Sequence, residues 1–229
     1  MEAKDQVQLV KEAVENIPQP YFDHYPGGWP DQISLALVDA VFSIGARYET
    51  TEGKGVLPRL QRLSKSWDEA SQDPRNSLMA LTEYNEALIR EFMGSGKVAP
   101  GKSFEKYKSI AAIEAAQEIQ KLGINSSEDL ISYWYGSKKQ QSDLRKAYTS
   151  VYGLGKVTFE YFLMLLGLPG VKADRMITRF VATAIGASSI TAERAHSLIM
   201  DSYQESSIKH AVSLISFEHG IWLYQSERS

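Results

Sequence analysis

One segment in the first quarter of the chain constrains the fold more than any other. Residues Ile33–Ile44 are apolar at almost every position, so a helix over this stretch has hardly any polar face. Asp31, which follows Pro30, is a residue type that caps helix N-termini. Because an apolar helix must be surrounded by other elements, we expect this one at the centre of a globular core.

The remainder of the chain places apolar residues mainly at helical spacing, and strand signals are few, which predicts an all-α fold. A short helix is expected over Gln6–Asn16. Further helices are predicted over Val56–Lys65, Ser77–Phe92, Ser103–Leu122, a short stretch from Ser126, Asp174–Ile185, Thr191–Tyr203 and Lys209–Tyr224. Ser103 is expected as an N-cap, Gly123 as a left-handed stop, and Ser126 with Asp129 as a capping box.

Composition excludes several kinds of site. The chain has 229 residues, of which 43% are hydrophobic, and this supports a packed core. The absence of cysteine excludes disulfides, cysteine-ligated zinc, iron–sulfur clusters and thiol catalysis. The four histidines lack metal-ligand spacing, and there is no phosphate-binding loop, dinucleotide fingerprint or Gly-x-Ser-x-Gly elbow. We therefore expect no metal, no nucleotide cofactor and no other cofactor.

Charge and hydropathy bear on location and partners. The chain opens on charged residues, and its longest apolar run, Tyr161–Leu168, is far shorter than the ~18–20 residues of a membrane span. These features predict a soluble, cytoplasmic protein without a membrane partner. The net charge of −3 argues against coating of polyanions by the whole surface. A local basic site is still expected over residues 138–179, which hold eight basic residues against three acidic ones.

The most informative segment joins two predicted helices through Gly153, Leu154 and Gly155. Glycine lets the backbone turn tightly and approach another molecule closely, while the amides that begin the second helix carry the positive end of its dipole. This arrangement predicts an anion-binding bend, with Leu154 anchored in the core. A tight turn without any ligand is the structural alternative.

This segment resembles the hairpin of the helix-hairpin-helix DNA glycosylase superfamily. The family pattern is apolar-x-Gly-apolar-Gly-x-x-Thr, then an apolar helix, a Gly and an Asp. It is matched by Val151–Thr158, by Gly167 and by Asp174. Less specific similarity extends to Leu37–Tyr48 and Tyr107–Ala111, so the resemblance covers about two thirds of the chain.

The resemblance implies two helical lobes, one over residues 29–167 and one built from residues 1–28 and 168–229, with duplex DNA bound in the cleft between them. It implies base excision repair, in which a damaged or mismatched base is extruded and removed with the help of Asp174. The residues implied to bind the DNA backbone are Gly153, Leu154, Gly155, Lys156, Thr158 and Arg175. Candidates for the wedge or base pocket are Arg47, Tyr48, Trp29 and Tyr152. We expect the protein to act as a monomer.

Departures from the family pattern restrict the kind of glycosylase that the sequence predicts. Val157 stands where bifunctional members carry the lysine that attacks the sugar, and Lys156, one position earlier, points about 100° away and towards phosphate. Gly45 falls where a polar side chain usually replaces the extruded base, and Arg175 and Met176 replace the usual Thr or Ser and His. The cysteine cluster loop is absent as well. A monofunctional glycosylase without an iron–sulfur cluster is therefore predicted.

Two other interpretations stay open. The first is a non-catalytic DNA-binding protein that keeps the hairpin without the chemistry. The second is an interaction scaffold with no nucleic-acid role, which is compatible with the net charge of −3. At Asp174 the alternative to catalysis is a plain N-cap, because Asp is among the preferred capping residues.

Overall fold

A computed structural model describes residues 3–23, 27–48, 54–70, 73–102 and 104–228. This part of the chain is all-α apart from one two-stranded antiparallel sheet. The α-helices are α1 (Ala3–Glu15), α2 (Ile33–Phe42), α3 (Val56–Ser66), α4 (Leu78–Glu83), α5 (Glu86–Met93), α6 (Lys108–Gln120), α7 (Ser127–Gly136), α8 (Lys138–Thr149), α9 (Lys156–Leu165), α10 (Arg175–Ala184), α11 (Ala192–Glu205) and α12 (Leu214–Ser226). The strands are β1 (Lys97–Val98) and β2 (Lys106–Tyr107), and 3-10 helices cover Gln19–Tyr21, Trp67–Glu69 and Ser207–His210.

Residues Gly28–Leu168 form one compact unit, called the continuous unit below. Helix α2 is fully buried along its length and packs against α3, α6 and α9. Leu60 of α3, Ala112 of α6 and Phe159 of α9 belong to the same core. The central position expected for this apolar helix is therefore confirmed.

The two chain ends, Met1–Gly27 and Pro169–Ser229, form a second compact unit, called the split unit below. Helix α1 packs against α11, and α10 packs against both α11 and α12. Its hydrophobic core includes Val10 of α1, Ile177 of α10 and Phe217 of α12. The first helix is therefore a structural part of a unit whose other helices lie at the opposite end of the chain.

Local capping chemistry explains several helix ends. Gly123 follows α6 with a φ of +80°, the left-handed stop that was expected. Ser126 and Asp129 form the expected capping box at α7. Helix α2 begins after Gln32, so the prediction that Asp31 is its N-cap is wrong. The last helix begins after Ser213, and the Ser213 side chain caps it.

Two predicted helices differ more from the observed ones. The stretch Ser77–Phe92 forms two helices, because the Asn85 side chain accepts a hydrogen bond from an amide of α5 and starts a new helix there. The helix expected from Ser103 begins instead at Lys108, since strands β1 and β2 pair before it. Ser103 lies outside the described residues. Its predicted capping role is wrong, because the residue that precedes α6 is Tyr107.

Candidate functional site

The bend between α8 and α9, residues 150–155, is called the glycine hairpin. Gly153 has a φ of +85°, and a Cβ atom there would lie 2.5 Å from the Cβ of Val98 in β1, so this position requires glycine for both conformation and space. Leu154 is buried between the two glycines, which confirms its role as the core anchor. Gly155 is exposed, and a Cβ atom there would meet nothing within 4 Å. The fold therefore supplies no packing reason for glycine at 155.

The hairpin presents main-chain donors at the start of α9. The amides of Lys156, Val157 and Thr158 belong to the first turn and have no acceptor within the helix. The Thr158 hydroxyl accepts from the Gly155 amide at 3.1 Å and donates to the Gly155 carbonyl at 2.8 Å. The Leu154 amide donates to a carbonyl of the turn itself. The groups that remain directed outwards are thus the amides of the first turn and the exposed Lys156 side chain.

Helix α8, which leads into the hairpin, is strongly basic. It carries Lys138, Lys139, Arg145 and Lys146, all exposed, against the single acid Asp143. The Arg145 guanidinium lies 3.6 Å from the carboxylate of Glu160 on α9. Of the other basic residues, Lys146 lies in the last turn of α8, next to the bend, whereas Lys138 and Lys139 lie in its first turn.

Asp174 lies in the split unit and caps α10. Its Oδ1 accepts hydrogen bonds from the amides of Met176 at 2.8 Å and Ile177 at 3.3 Å, as an N-cap requires. Its Oδ2 accepts a hydrogen bond at 3.0 Å from the indole Nε1 of Trp222 in α12. The half-buried carboxylate is therefore oriented by three donors, from two helices.

A second carboxyl group lies in the same part of the split unit. Glu218 of α12 is 4% exposed, and its Oε1 has no hydrogen-bond partner among the described residues. Burial, together with the nearby negative charge of Asp174, raises the pKa of Glu218 to about 8, while Lys172 acts in the opposite direction. Glu218 is therefore mainly neutral at pH 7, next to Asp174.

The wedge and base-pocket candidates occupy different places in the continuous unit. Trp29 and Tyr48 come together on the buried carboxylate of Asp39: the indole Nε1 donates to its Oδ2 at 2.8 Å, and the Tyr48 hydroxyl donates to the same oxygen at 2.9 Å. Arg47 is exposed and lines a cavity of about 330 Å³ near the end of α2. Tyr152, in the glycine hairpin, is exposed and packs edge-on against Phe104 instead.

Sequence reasoning missed three residues of these arrangements: Asp39, Glu218 and Trp222. Asp39 gave a usable signal, since a lone carboxylate within an otherwise apolar helix must find hydrogen-bond donors. Glu218 and Trp222 gave none, because they stand in an ordinary helical pattern about 45 residues after Asp174 and meet it only through tertiary packing.

The described residues contain neither a cluster of metal-binding side chains nor a membrane-spanning helix. In that part of the chain, no group of three or more His, Asp or Glu side chains is arranged to hold a metal ion. Over the same ranges, every helix is too short or too polar to cross a bilayer.

The fold is similar to that of a DNA glycosylase. It matches the crystal structure of the 3-methyladenine DNA glycosylase of H. pylori (MagIII) bound to 1,N6-ethenoadenine, with a TM-score of 0.62, 17% sequence identity, and coverage of 100% of this chain and 98% of that chain. At this identity the similarity establishes an all-α, glycosylase-like fold. The chain belongs to the family described as "Domain of unknown function (DUF8548)", whose model matches residues 7–226. No curated protein matches the sequence.

Proposed function

We propose that this protein is a monofunctional DNA N-glycosylase, which binds duplex DNA through the glycine hairpin and excises a damaged or mismatched base with the help of Asp174. The proposal rests on one observation: Gly155 is exposed and has open space around it, in a chain with a glycosylase-like fold. Gly155 is the N-cap of α9, a position where Ser, Asp or Asn would cap the helix at least as well, so glycine there is understandable if another molecule approaches the backbone at that point. The first-turn amides of α9 and the charge of α8 suit a phosphate group.

The chemistry assigned to Asp174 is electrostatic. When the bond between base and sugar breaks, positive charge develops on the sugar, and a fixed carboxylate stabilises it. Water then adds to the sugar carbon, and the departing base takes up a proton, which yields the free base and an abasic site. The three donors that hold Asp174 give the carboxylate a defined orientation for this role.

The side chain at position 157 determines which reaction product we expect. A lysine attached to the sugar would lead on to strand cleavage, whereas Val157 has no amine to form that bond. We therefore expect base release without cutting of the strand. The absence of cysteine is consistent with a glycosylase that has no iron–sulfur cluster.

The direct test is a base-release assay. Duplexes that carry ethenoadenine, 3-methyladenine, uracil, an oxidised base or a mismatch are incubated with the protein and then treated with hot alkali, which cleaves at abasic sites. We expect cleavage of at least one duplex after alkali only. Asp174→Asn, which preserves the N-cap, should abolish it, while Asp201→Asn at an exposed position of α11 should not. Full activity in Asp174→Asn would exclude Asp174 from the mechanism.

A second candidate function is DNA binding without catalysis. It is favoured by the fact that both oxygens of Asp174 already accept hydrogen bonds within the protein. In that case binding would weaken steeply with salt, and no duplex would yield an abasic product. If the protein fails to bind any duplex at low salt, both candidates are excluded.

A further inference from the structure

A shallow groove of about 240 Å³ lies along α10 in the split unit. The polar side chains that line it are Arg175, Thr178, Arg179, Thr183, Ser188 and Ser189, and among the described residues no acidic side chain contributes to its wall. The groove is formed within one unit and lies on the exposed side of the helix that Asp174 caps.

The end of α10 shapes one wall of the groove. Gly186 has a φ of +68°, its amide donates to the Thr183 carbonyl, and the Ala187 amide donates to the Ala182 carbonyl. This Schellman motif turns the chain back along the helix end, where Ser188 contributes to the groove. The hydroxyl-bearing loop is thus held in place by backbone hydrogen bonds.

Among the described residues, no acidic side chain forms an ion pair with the arginines of the groove. Arg175 and Arg179 are exposed, and within the described residues neither guanidinium has an ion-pair or hydrogen-bond partner. The hydroxyls of Thr183, Ser188 and Ser189 likewise bond no other protein group in that part of the chain. Two arginine forks and three free hydroxyls are the donor types that bind phosphate oxygens.

The spacing of the two arginines can be compared with the spacing of phosphates in a nucleic-acid strand. They are four residues apart on one face of α10, which separates them by about 6 Å along the helix axis. Neighbouring phosphates of a nucleic-acid strand are separated by a similar distance. The family resemblance already implies a backbone contact at Arg175, and the structure adds Arg179 and the loop hydroxyls beside it. We propose that the groove as a whole binds two successive phosphates of a nucleic-acid strand, as a second backbone contact in addition to the glycine hairpin. The inference rests on the proposed function, because it assumes that nucleic acid is the partner.

The test is the salt dependence of binding to an undamaged duplex, followed by fluorescence anisotropy. Loss of two phosphate contacts should lower the slope of log K against log salt by about 1.8 in the double variant Arg175→Gln/Arg179→Gln. The charge-preserving variant Arg175→Lys/Arg179→Lys should keep most of the wild-type slope. A control with the same change in net charge is Arg62→Gln/Lys65→Gln, on the exposed side of α3.

The outcomes separate the inference from the proposed function. If wild-type protein binds the duplex and the double variant keeps the full slope, or loses no more than the α3 control, the groove is not a phosphate site and the inference is wrong. If the double variant loses binding to poly-glutamate while duplex binding is unchanged, the groove serves an acidic protein partner. Failure of the wild-type protein to bind duplex at low salt would overturn the proposed function and the inference together.

Discussion

The two glycines of the hairpin differ in how strongly the fold requires glycine at each position. At Gly153 an alanine would combine a φ of +85° with a Cβ contact of 2.5 Å to Val98. We expect Gly153→Ala to lower the free energy of unfolding by about 1–3 kcal/mol, as urea denaturation would measure. Gly155→Ala meets no neighbour and should change it by less than about 1 kcal/mol.

The same pair of variants separates a structural hairpin from a functional one. Gly155→Ala should weaken duplex binding by about tenfold, or ~1.4 kcal/mol, although its stability is nearly that of the wild-type protein. If Gly155→Ala binds duplex as tightly as the wild-type protein, the backbone at 155 is not in contact with DNA.

Glu218 predicts an unusual dependence of stability on pH. Its pKa in the folded protein, about 8, lies above the value of about 4.3 expected in the unfolded chain. Unfolding therefore releases a proton between these two values, and the contribution of Glu218 to stability, which is complete below about pH 4, is lost progressively as pH rises to about 8. Glu218→Gln removes this titration, so its free energy of unfolding should fall less than that of the wild-type protein between pH 5 and pH 8.

Urea denaturation at several pH values measures the effect. Glu205→Gln, at an exposed position of α11, serves as the control and should leave the wild-type pH dependence unchanged. A pH dependence for Glu218→Gln that equals the wild-type one would show that Glu218 is already ionised in the folded protein.

Helices α10 and α12 meet at the hydrogen bond between Trp222 and Asp174. Trp222→Phe keeps an aromatic ring but removes the donor, which leaves Oδ2 of Asp174 without that partner. We expect a loss of about 1–3 kcal/mol in stability and a fall in the rate of base release that exceeds the change in duplex affinity. Trp134→Phe in α7 is the matched control. An unchanged single-turnover rate in Trp222→Phe would mean that this hydrogen bond does not position Asp174 for chemistry.

Elements whose ends depend on local chemistry were predictable. The capping box at Ser126, the left-handed Gly123 and the cap at Asp174 each involve residues that are near neighbours in sequence. The start of α6 was not predictable, because the pairing of β1 with β2 decides it, and two-residue strands leave no periodic pattern. Asn85 shows a related failure, since a capping residue within an apolar helical pattern can be read as an interior position.

The residues of the candidate site were harder to predict from the sequence than the fold was. Leu154 and both hairpin glycines could be found because their roles depend on a short segment. Packing brings together the side chains of Trp29 and Asp39, which are ten residues apart, and those of Asp174 and Glu218, which are 44 residues apart. No periodicity encodes such convergence, so the sequence suggests the chemistry proposed above but does not identify the side chains that pack around Asp174 and Trp29.

The division of the molecule into a continuous and a split unit makes a prediction about truncation. A chain that begins at residue 28 lacks Val10, Val14 and Phe22, which are buried in the split unit. We expect α10, α11 and α12 to lose hydrogen-exchange protection in this variant, while α2, α6 and α9 keep theirs. Full protection of α10 to α12 without the N-terminal segment would show that their core does not need α1.

The proposal that the glycine hairpin binds DNA through main-chain donors can be tested directly. Isotopically labelled protein is titrated with duplex DNA, and its backbone amide resonances are followed. If the first-turn amides of α9 hold a DNA strand, the amides of Lys156, Val157 and Thr158 should shift strongly and saturate with the duplex, and the shifts should diminish as salt is raised. If these amides remain unchanged while other resonances report saturation, DNA is bound elsewhere and the role given to the hairpin is wrong.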